Sequence, residues 1–230
     1  MTTEDNGRLL ASSSLFSGLD AKVLASLGER AVRQRFEKGR TIFYQGDPGD
    51  TLYVVAEGLM KVWVSSHDGS EMVMATLRPP DAFGELSAVD GHVRSASATT
   101  LEPTVLLSLD RTTLLDAVHH NAAVADALLR ALGDLARRIT EQASDLVFLD
   151  LAGRVAKCLV HLAVREGHVD GETTVLELPL SQTEIAEMVG GSRQSVNQTM
   201  KSFEMRGYLQ LRGREVVILD LASLQHRAER

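Results

Sequence analysis

The sequence predicts an α+β fold in which a strand-rich domain comes first and helices follow. Between residues 40 and 110 short apolar runs alternate with turn residues, about one strand every ten residues. After residue 110 the apolar residues recur in steps of three and four, which is helical spacing. Many short strands at even spacing are typical of an antiparallel sandwich, jelly roll or barrel.

Five strands are expected in this first region, separated by segments rich in Gly, Pro, Asp and Ser. They cover residues 41–44, 51–55, 59–64, 71–77 and 104–109. The chain as a whole divides into three parts: a strand-rich domain over 1–120, a long helix over 121–149, and a second domain over 150–230.

The composition excludes several classes of protein. The 230 residues are 44% hydrophobic and 24% charged, which is typical of a globular chain and not of a disordered one. The single cysteine, Cys158, excludes a disulfide framework, a multi-cysteine zinc site and a cysteine-ligated iron–sulfur cluster. No apolar run is long enough to span a membrane, and Glu4 and Asp5 precede any apolar run. We therefore expect a soluble cytoplasmic protein without membrane contact.

The long helix carries an apolar seam with heptad spacing. Such a seam is expected to pair with a second copy of itself, with the polar Gln142 fixing the register. An ordinary core-facing stripe of an amphipathic helix remains the alternative. The seam consists of Leu128, Leu132, Leu135, Ile139, Gln142 and Leu146.

The C-terminal region predicts a helix-turn-helix followed by a wing, preceded by a polar loop over 166–172 and a short strand over 174–180. Ser181 and Glu184 form the pattern of a capping box, and Gly190 with Gly191 ends that helix, whose apolar residues Ile185 and Met188 are expected to face inward. Ser192 is expected to cap a second helix that runs to about residue 205, closed by Gly207. Residues 209–211 and 216–219 predict two short strands around a turn, which is typical of a wing.

The second helix has an apolar face, with Val196, Met200 and Phe203 at spacings of four and three, and an opposite polar face that suits base recognition. Arg favours guanine, and Gln or Asn favours adenine, in the major groove. Although the net charge of the chain is −7, residues 190–230 hold seven basic and four acidic residues, a local net charge of +3. A solvated polar helix face is the alternative. The predicted DNA-binding set is Ser192, Arg193, Gln194, Asn197, Gln198 and Lys201 on the helix, with Arg212 and Arg214 contacting phosphates at the wing.

A pocket for a cyclic phosphodiester is expected in the strand-rich domain. Backbone amides of a short helix that begins near Gly84 can point at an anion, and Arg94 offers a rigid fork to phosphate oxygens. Glu85 would repel a phosphate, so we expect it to accept a hydrogen bond from a sugar hydroxyl. A structural ion pair between Glu85 and Arg94 is the alternative, and the spacing leaves both open.

The chain resembles the cyclic AMP receptor protein/FNR (CRP/FNR) family of transcription regulators over nearly its full length. The resemblance rests on motifs that occur in the family's order. They are Gly46-Asp47-Pro48-Gly49-Asp50-Thr51-Leu52-Tyr53, Phe83-Gly84-Glu85-Leu86-Ser87 with Arg94-Ser95, the long helix, Phe148-Leu149-Asp150 with Gly153-Arg154, and Val189-Gly190-Gly191-Ser192-Arg193-Gln194-Ser195-Val196.

The resemblance implies a cyclic-nucleotide-binding jelly roll, a dimerisation helix and a C-terminal winged helix-turn-helix. It implies that Gly84, Arg94 and Ser95 hold the cyclic phosphate of cyclic AMP and that Glu85 holds the ribose. Leu86 belongs to the same ligand-binding set, and Thr140 would reach the purine from the long helix.

The sequence departs from the family pattern at several of these positions. Family members that bind cyclic AMP usually have Thr where this chain has Ile139, and a pocket position that is often Ser corresponds to Ala75. On the reading helix, Gln194 and Gln198 replace the common Glu and Arg, so a different DNA half-site is expected.

The sequence therefore predicts a homodimeric regulator that binds a palindromic double-stranded DNA site under control of cyclic AMP, with RNA polymerase as a further partner. It predicts no catalytic activity, metal, heme or iron–sulfur cluster. A regulator of the same fold that needs no nucleotide or senses another ligand is one alternative. A nucleotide-sensing module that acts on a partner protein is another.

Overall fold

The computed structural model describes residues 3–171, 173–178 and 180–229. The described residues divide into two compact units, one through Arg137 and one from Arg138 onwards. The predicted loop and strand around Glu172 and Pro179 fall partly on these two positions, which lie outside the described residues.

The first unit contains eight strands among its described residues, together with helices before and after them. The helices are α1 (Thr3–Ser12), α2 (Ala21–Arg30), α3 (Glu85–Asp90), α4 (Arg111–His120) and the first part of α5 (Ala122–Phe148). The strands are β1 (Val32–Phe36), β2 (Thr41–Phe43), β3 (Thr51–Glu57), β4 (Met60–Ser65), β5 (Glu71–Leu77), β6 (Ala82–Phe83), β7 (Ser97–Thr100) and β8 (Thr104–Asp110).

These strands form two four-stranded antiparallel sheets that pack face to face. Their orders are β1-β8-β3-β6 and β2-β7-β4-β5. Between them lies an apolar core to which both sheets contribute, including Val55 and Leu106 from one sheet and Met60 and Ala98 from the other. The predicted α+β fold with an antiparallel sandwich of jelly-roll type is confirmed, and the five expected strands lie within one or two residues of their predicted bounds.

A second apolar core holds the helices against the sandwich. It joins Leu10 and Phe16 near α1, Leu52 of β3, Leu114 of α4, and Leu128 of α5, each 5% exposed or less. Leu128, the first residue of the predicted seam, is therefore buried within its own chain.

The second unit contains the end of α5 and a winged helix-turn-helix. Its other helices are α6 (Leu151–Glu166), α7 (Gln182–Val189), α8 (Arg193–Met205) and α9 (Leu221–Arg227). Its strands are β9 (His168–Asp170), β10 (Thr173–Glu177), β11 (Leu209–Arg212) and β12 (Glu215–Ile218), which form an antiparallel sheet in the order β11-β12-β10-β9.

The predicted caps and helix ends of the helix-turn-helix are present in the structure. Ser181 accepts from the Glu184 amide, and the Glu184 carboxylate accepts from the Ser181 amide, which completes the capping box. Ser192 Oγ accepts from the amide of Ser195 at the start of α8. Gly190 has φ +62° and ends α7 in the left-handed region, where a side chain would be strained.

Two local expectations differ from the structure. The segment predicted as a polar loop over 166–172 contains strand β9, which pairs with β10. Met188, predicted to face the core, is only partly buried, because Ile185, Ala186 and Val189 fill the inner face of α7. In the described part of the chain, no helix is both long and apolar enough to cross a membrane.

Candidate functional site

Arg94 is the centre of a polar cluster at the end of the jelly roll. Its side chain is buried, with 4% of the residue exposed. Nη1 donates to the carbonyl oxygen of Gly84 at 3.1 Å and to Ser87 Oγ at 2.7 Å. The guanidinium carbon lies 4.1 Å from the ring centroid of Phe43 and 5.8 Å from that of Tyr53, so the cation also rests on aromatic faces. Among the described residues Nε has no hydrogen-bond partner.

The backbone around Arg94 is fixed by the turn that precedes β3. The Arg94 amide donates to the carbonyl oxygen of Asp47 at 2.8 Å, and the Gly46 amide donates to the carbonyl oxygen of Arg94 at 2.9 Å. Gly49, in the same turn, packs so closely that a Cβ there would lie 2.3 Å from Ser87 Oγ and 2.9 Å from Arg94 Nε. The turn therefore needs glycine at this position because Ser87 and Arg94 occupy the space of a side chain.

The electrostatics of Arg94 reflect its burial. Desolvation lowers the pKa of Arg94, and the charges of Tyr53, Asp50, Asp47 and Glu85 work in the opposite direction. Glu85 contributes the least of these four charges. An ion pair between Glu85 and Arg94 stays an alternative to a role of Glu85 in sugar binding.

The other predicted ligand residues differ in exposure. Glu85 and Leu86, in the first turn of α3, are half-buried, and Ser95 is exposed beside the buried Arg94. Gly84, Glu85, Leu86, Arg94 and Ser95 thus lie together at one end of the sandwich. Ile139 and Thr140 are exposed on α5 in the second unit. That they contact a ligand bound at Arg94 stays a prediction.

Helix α8 separates an apolar inner face from a polar outer face. Val196, Met200 and Phe203 are 1%, 5% and 2% exposed, so the predicted inner face is buried in the second unit. The outer face carries the residues predicted to read bases. Arg193, Gln194, Gln198 and Lys201 are exposed, and Asn197 is half-buried with its side-chain amide 3.4 Å from Gln182 Oε1.

The two wing arginines flank the turn between β11 and β12, and both are exposed. Arg212 donates from Nε and Nη2 to Gln210 Oε1 at 3.2 and 2.8 Å, which holds its side chain along the strand. Arg214 lies within 3.5 Å of the carbonyl oxygen of Leu178. The reading helix and the wing therefore present cations on the exposed surface of the second unit.

Arg154 and Asp150 link the helices of the second unit to one another. Arg154 Nε donates to the carbonyl oxygen of Val189, and Nη1 donates to that of Leu149, both at 2.7 Å. One side chain thus caps the end of α7 and the segment that follows α5. Asp150 accepts from the Gly153 amide at 2.8 Å and pairs with Arg227, which ties the start of α6 to α9.

The C-terminal half of α5 is exposed along the predicted seam. Ile139 and Leu146 are 46% and 45% exposed, and Leu132, Leu135 and Gln142 are half-buried. On the side that faces α6, Lys157 Nζ lies 2.5 Å from Glu141 Oε1 and 2.8 Å from Asp145 Oδ2. Burial works to lower the pKa of Lys157, but the hydrogen bonds to Asp145 and Glu141 outweigh it and raise that pKa.

Among the described residues, no three or more His, Cys, Asp and Glu side chains cluster so that they could hold a metal ion. His92, in the loop between α3 and Arg94, is 82% exposed and lies 3.4 Å from Asp90. Burial raises the pKa of the Cys158 thiol to about 12, so this side chain is a poor nucleophile at neutral pH.

Comparison with known proteins matches both units to family models. A model described as a cyclic nucleotide-binding domain matches residues 33–121, and one described as a Crp-like helix-turn-helix domain matches residues 153–227. A CRP-like cAMP-activated global transcriptional regulator from Mycobacterium tuberculosis is 37% identical over 220 residues, which cover 96% of this chain and 98% of the relative. The chain belongs to the CRP/FNR family of transcription regulators.

Two further comparisons support the assignment of this CRP/FNR regulator. The cyclic AMP receptor protein of Thermus thermophilus is 32% identical over 216 residues, covering 93% of this chain and 95% of that protein. The c-di-GMP responsive global regulator CLP of Xanthomonas campestris has a TM-score of 0.73 at 26% identity, covering 86% of this chain and 99% of that chain. The protein is thus a DNA-binding transcription regulator of the CRP family with a cyclic nucleotide-binding domain.

Several residues that contact Arg94, together with Arg154 itself, are not identified by the sequence. Phe43, Gly49 and Ser87 surround Arg94, and Arg154 binds the end of α7 and the segment after α5, yet the sequence assigns none of the four a role. The signals for Gly49 and Ser87 were present, because both lie in the motifs that carry the family resemblance. Phe43 gave no signal beyond that of an ordinary strand residue.

Proposed function

We propose that this CRP/FNR regulator is a homodimer whose binding to a palindromic DNA site is controlled by cyclic AMP. The observation that carries the proposal is the buried Arg94 guanidinium, whose Nε has no partner among the described residues. A buried cation with free donors favours a ligand that brings negative charge, and a phosphodiester does so.

Each pocket residue has a specific part in this proposal. Arg94 binds the cyclic phosphate with Ser95 and Gly84, and Glu85 accepts from the ribose hydroxyl. Thr140 reaches the purine from α5, and Leu86 packs against the nucleotide. The exposure of Ser95 and the half-burial of Glu85 support this arrangement, since both side chains lie beside Arg94 with surface left to contact a ligand.

The choice of cyclic AMP rests on the relatives, two of which are described as cAMP-activated or as a cyclic AMP receptor. Ile139 and Ala75 lack the hydroxyls that usually occupy these positions in the family. If adenine loses one hydrogen bond there, affinity falls by a factor that corresponds to about 1–3 kcal/mol. Cyclic GMP and other ligands are therefore the competing candidates, and one structural relative is described as c-di-GMP responsive.

Dimerisation is proposed through α5. Leu132, Leu135, Ile139, Gln142 and Leu146 retain exposed surface, and their spacing is that of a two-stranded coiled coil. Leu128 is 5% exposed in the core of its own chain, so the part of the seam with surface to share begins at Leu132.

DNA recognition is proposed through α8 and the wing. Arg193 reads guanine, and Gln194, Asn197 and Gln198 favour adenine, while Ser192, Lys201, Arg212 and Arg214 contact the backbone. In a homodimer two copies of α8 would enter successive major grooves about 34 Å apart, which requires a palindromic site. RNA polymerase is the proposed further partner, and the cytoplasm is the proposed location.

The ligand controls DNA binding by shifting an equilibrium between two arrangements of the winged helices. Nucleotide that bridges the jelly roll and α5 extends or re-registers the coiled coil and so rotates the two α8 helices into register. A shift from 1:99 to 99:1 requires about 5.5 kcal/mol of differential binding, summed over both pockets.

Isothermal titration calorimetry tests the effector. We expect micromolar binding of cyclic AMP, weaker binding of cyclic GMP, and no binding of either by Arg94→Ala. Ile139→Thr is expected to tighten cyclic AMP binding about tenfold, because it restores a hydroxyl to the adenine. A protein that shows no heat with cyclic AMP but still binds DNA would overturn the assignment of the effector.

The salt dependence of DNA binding tests the DNA interface against a module that acts only on a partner protein. Phosphate contacts release counterions, so affinity should fall steeply as salt rises. Lys201→Ala should weaken binding to all sequences and lower the salt slope, whereas Arg193→Ala should relax base preference at one position of each half-site. Absence of salt-dependent DNA binding in the presence of nucleotide would contradict this part of the proposal.

A further inference from the structure

Ser87 lies in contact with the arginine on which the proposed function depends. Its residue is 2% exposed, and its Oγ accepts from Arg94 Nη1 at 2.7 Å. The second acceptor for Nη1 is the carbonyl oxygen of Gly84, at 3.1 Å. These two bonds occupy both hydrogens of Nη1.

The opposite edge of the guanidinium is left for a ligand. A guanidinium offers two parallel donors from Nε and Nη2, which match two oxygens of a phosphate. Nε has no partner among the described residues, and Nη1 donates both side-chain hydrogen bonds of the group, to Gly84 and Ser87. The bonds to Ser87 and Gly84 thus leave the Nε and Nη2 edge of Arg94 as the edge with donors for an anion.

Gly49 adds an independent observation. Its Cα packs against Ser87 and Arg94 so tightly that a Cβ would lie 2.3 Å from Ser87 Oγ, 2.5 Å from Ser87 Cβ and 2.9 Å from Arg94 Nε. The serine hydroxyl therefore fills space that a larger residue at position 49 would need. The Ser87 hydroxyl, the Arg94 guanidinium and Gly49 thus pack directly against one another.

We propose that Ser87 is a positioning residue that holds Arg94 with its Nε and Nη2 edge directed at the cyclic phosphate. This inference rests on the proposed function, since it concerns the same pocket. Ser87 acts through Arg94 and does not itself bind the phosphate. Removing its hydroxyl leaves Nη1 held by the Gly84 carbonyl oxygen alone, so the guanidinium is less firmly oriented toward the phosphate.

The test is to compare nucleotide binding by the full-length wild type and Ser87→Ala, with adenosine as a probe that lacks the phosphate. We expect cyclic AMP to bind about tenfold more weakly to Ser87→Ala, because one charge-assisted hydrogen bond is lost. Adenosine, measured by competition, should bind equally to both proteins. Ser87→Cys, with a weaker acceptor of similar size, should bind cyclic AMP with intermediate affinity.

Ser108→Ala is the matched control. Ser108 lies in the same sandwich, and its hydroxyl donates to the carbonyl oxygen of Val32 at 3.1 Å, outside the Arg94 cluster. Its loss should leave cyclic AMP affinity unchanged. Equal cyclic AMP affinity in Ser87→Ala and the wild type, or parallel losses of cyclic AMP and adenosine, would overturn the role of Ser87. A wild type that binds no cyclic AMP would instead overturn the effector assignment, and the role of Ser87 with it.

Discussion

Replacing Gly84 with alanine is expected to damage the pocket through both backbone strain and a collision. Gly84 has φ +78°, where a side chain costs about 1–2 kcal/mol. A Cβ there would lie 2.7 Å from Arg94 Nη1 and 3.1 Å from the carbonyl oxygen of Thr51. Because Nη1 is held by two hydrogen bonds, displacing it costs about 1.5–3 kcal/mol more. The free energy of unfolding of the first unit should therefore fall by about 2.5–5 kcal/mol.

Gly69→Ala separates the strain from the collision. Gly69 has φ +83° in the hairpin between β4 and β5, and a Cβ there would meet no heavy atom within 4 Å. The free energy of unfolding should therefore fall only by the backbone strain of about 1–2 kcal/mol. Urea unfolding followed by the fluorescence of Trp63, the one tryptophan of the sequence, reports both variants from within the sandwich. Equal destabilisation by the two substitutions would refute the reasoning, since it would mean that Arg94 moves away at no cost.

Three further predictions concern the second unit. Ser181→Ala removes half of the capping box and should lower the free energy of unfolding by about 0.5–2 kcal/mol. Thr183→Ala, at an exposed position of the same helix, should change thermal unfolding little. Equal effects of the two substitutions would contradict the role of the cap. Arg154→Ala leaves two carbonyl oxygens without their donor and should lower the free energy of unfolding by about 2–4 kcal/mol. A loss below about 0.5 kcal/mol in thermal unfolding would show that these bonds contribute nothing to stability. Because the pKa of Cys158 is raised to about 12, only about one thiol in ten thousand is ionised at pH 8. Iodoacetamide should therefore react far more slowly with the native chain than with the urea-unfolded chain. Equal rates would contradict the raised pKa.

Where a structural signal is local, the sequence was sufficient to predict the element. Five of the eight described strands of the sandwich are short apolar runs bounded by turn residues, and β1, β6 and β7 were not predicted. The helix-turn-helix is bounded by Ser181, Gly190 and Ser192. Each of these residues acts within a few positions of itself, by capping a helix or by allowing a positive φ. The inner face of α8 also followed from spacing alone, since Val196, Met200 and Phe203 are three or four residues apart.

Where partners are distant in sequence, the residues alone were insufficient. Leu128 fits the heptad spacing of the seam, but periodicity records only that a face is apolar, and here the residue packs into the core of its own chain. Helices α1 and α2 were not predicted. They are short, each contains a glycine, and they are stabilised by packing against one another and the sandwich. Strand β9 was also missed, because its residues are exposed and it depends on pairing with β10.

The pocket shows the same division between residue identity and arrangement. The motif predicted Arg94 as the anion ligand, but a motif does not contain the distance from Nη1 to Ser87 Oγ or the contact with the Phe43 ring. Both depend on how the segment after α3 folds back on strands β2 and β3. The role of Gly49 likewise becomes visible only when its neighbours in space are known.

The affinity of the full-length protein for a palindromic duplex, measured by fluorescence anisotropy without nucleotide and with saturating cyclic AMP, tests the gating of DNA binding. The duplex is one selected from a random pool in the presence of cyclic AMP, and Arg94→Ala serves as the control. We expect cyclic AMP to tighten binding at least tenfold in the wild type and not at all in Arg94→Ala. Equal affinity of the wild type with and without cyclic AMP would contradict the account, because the pocket and the reading helix would then act independently.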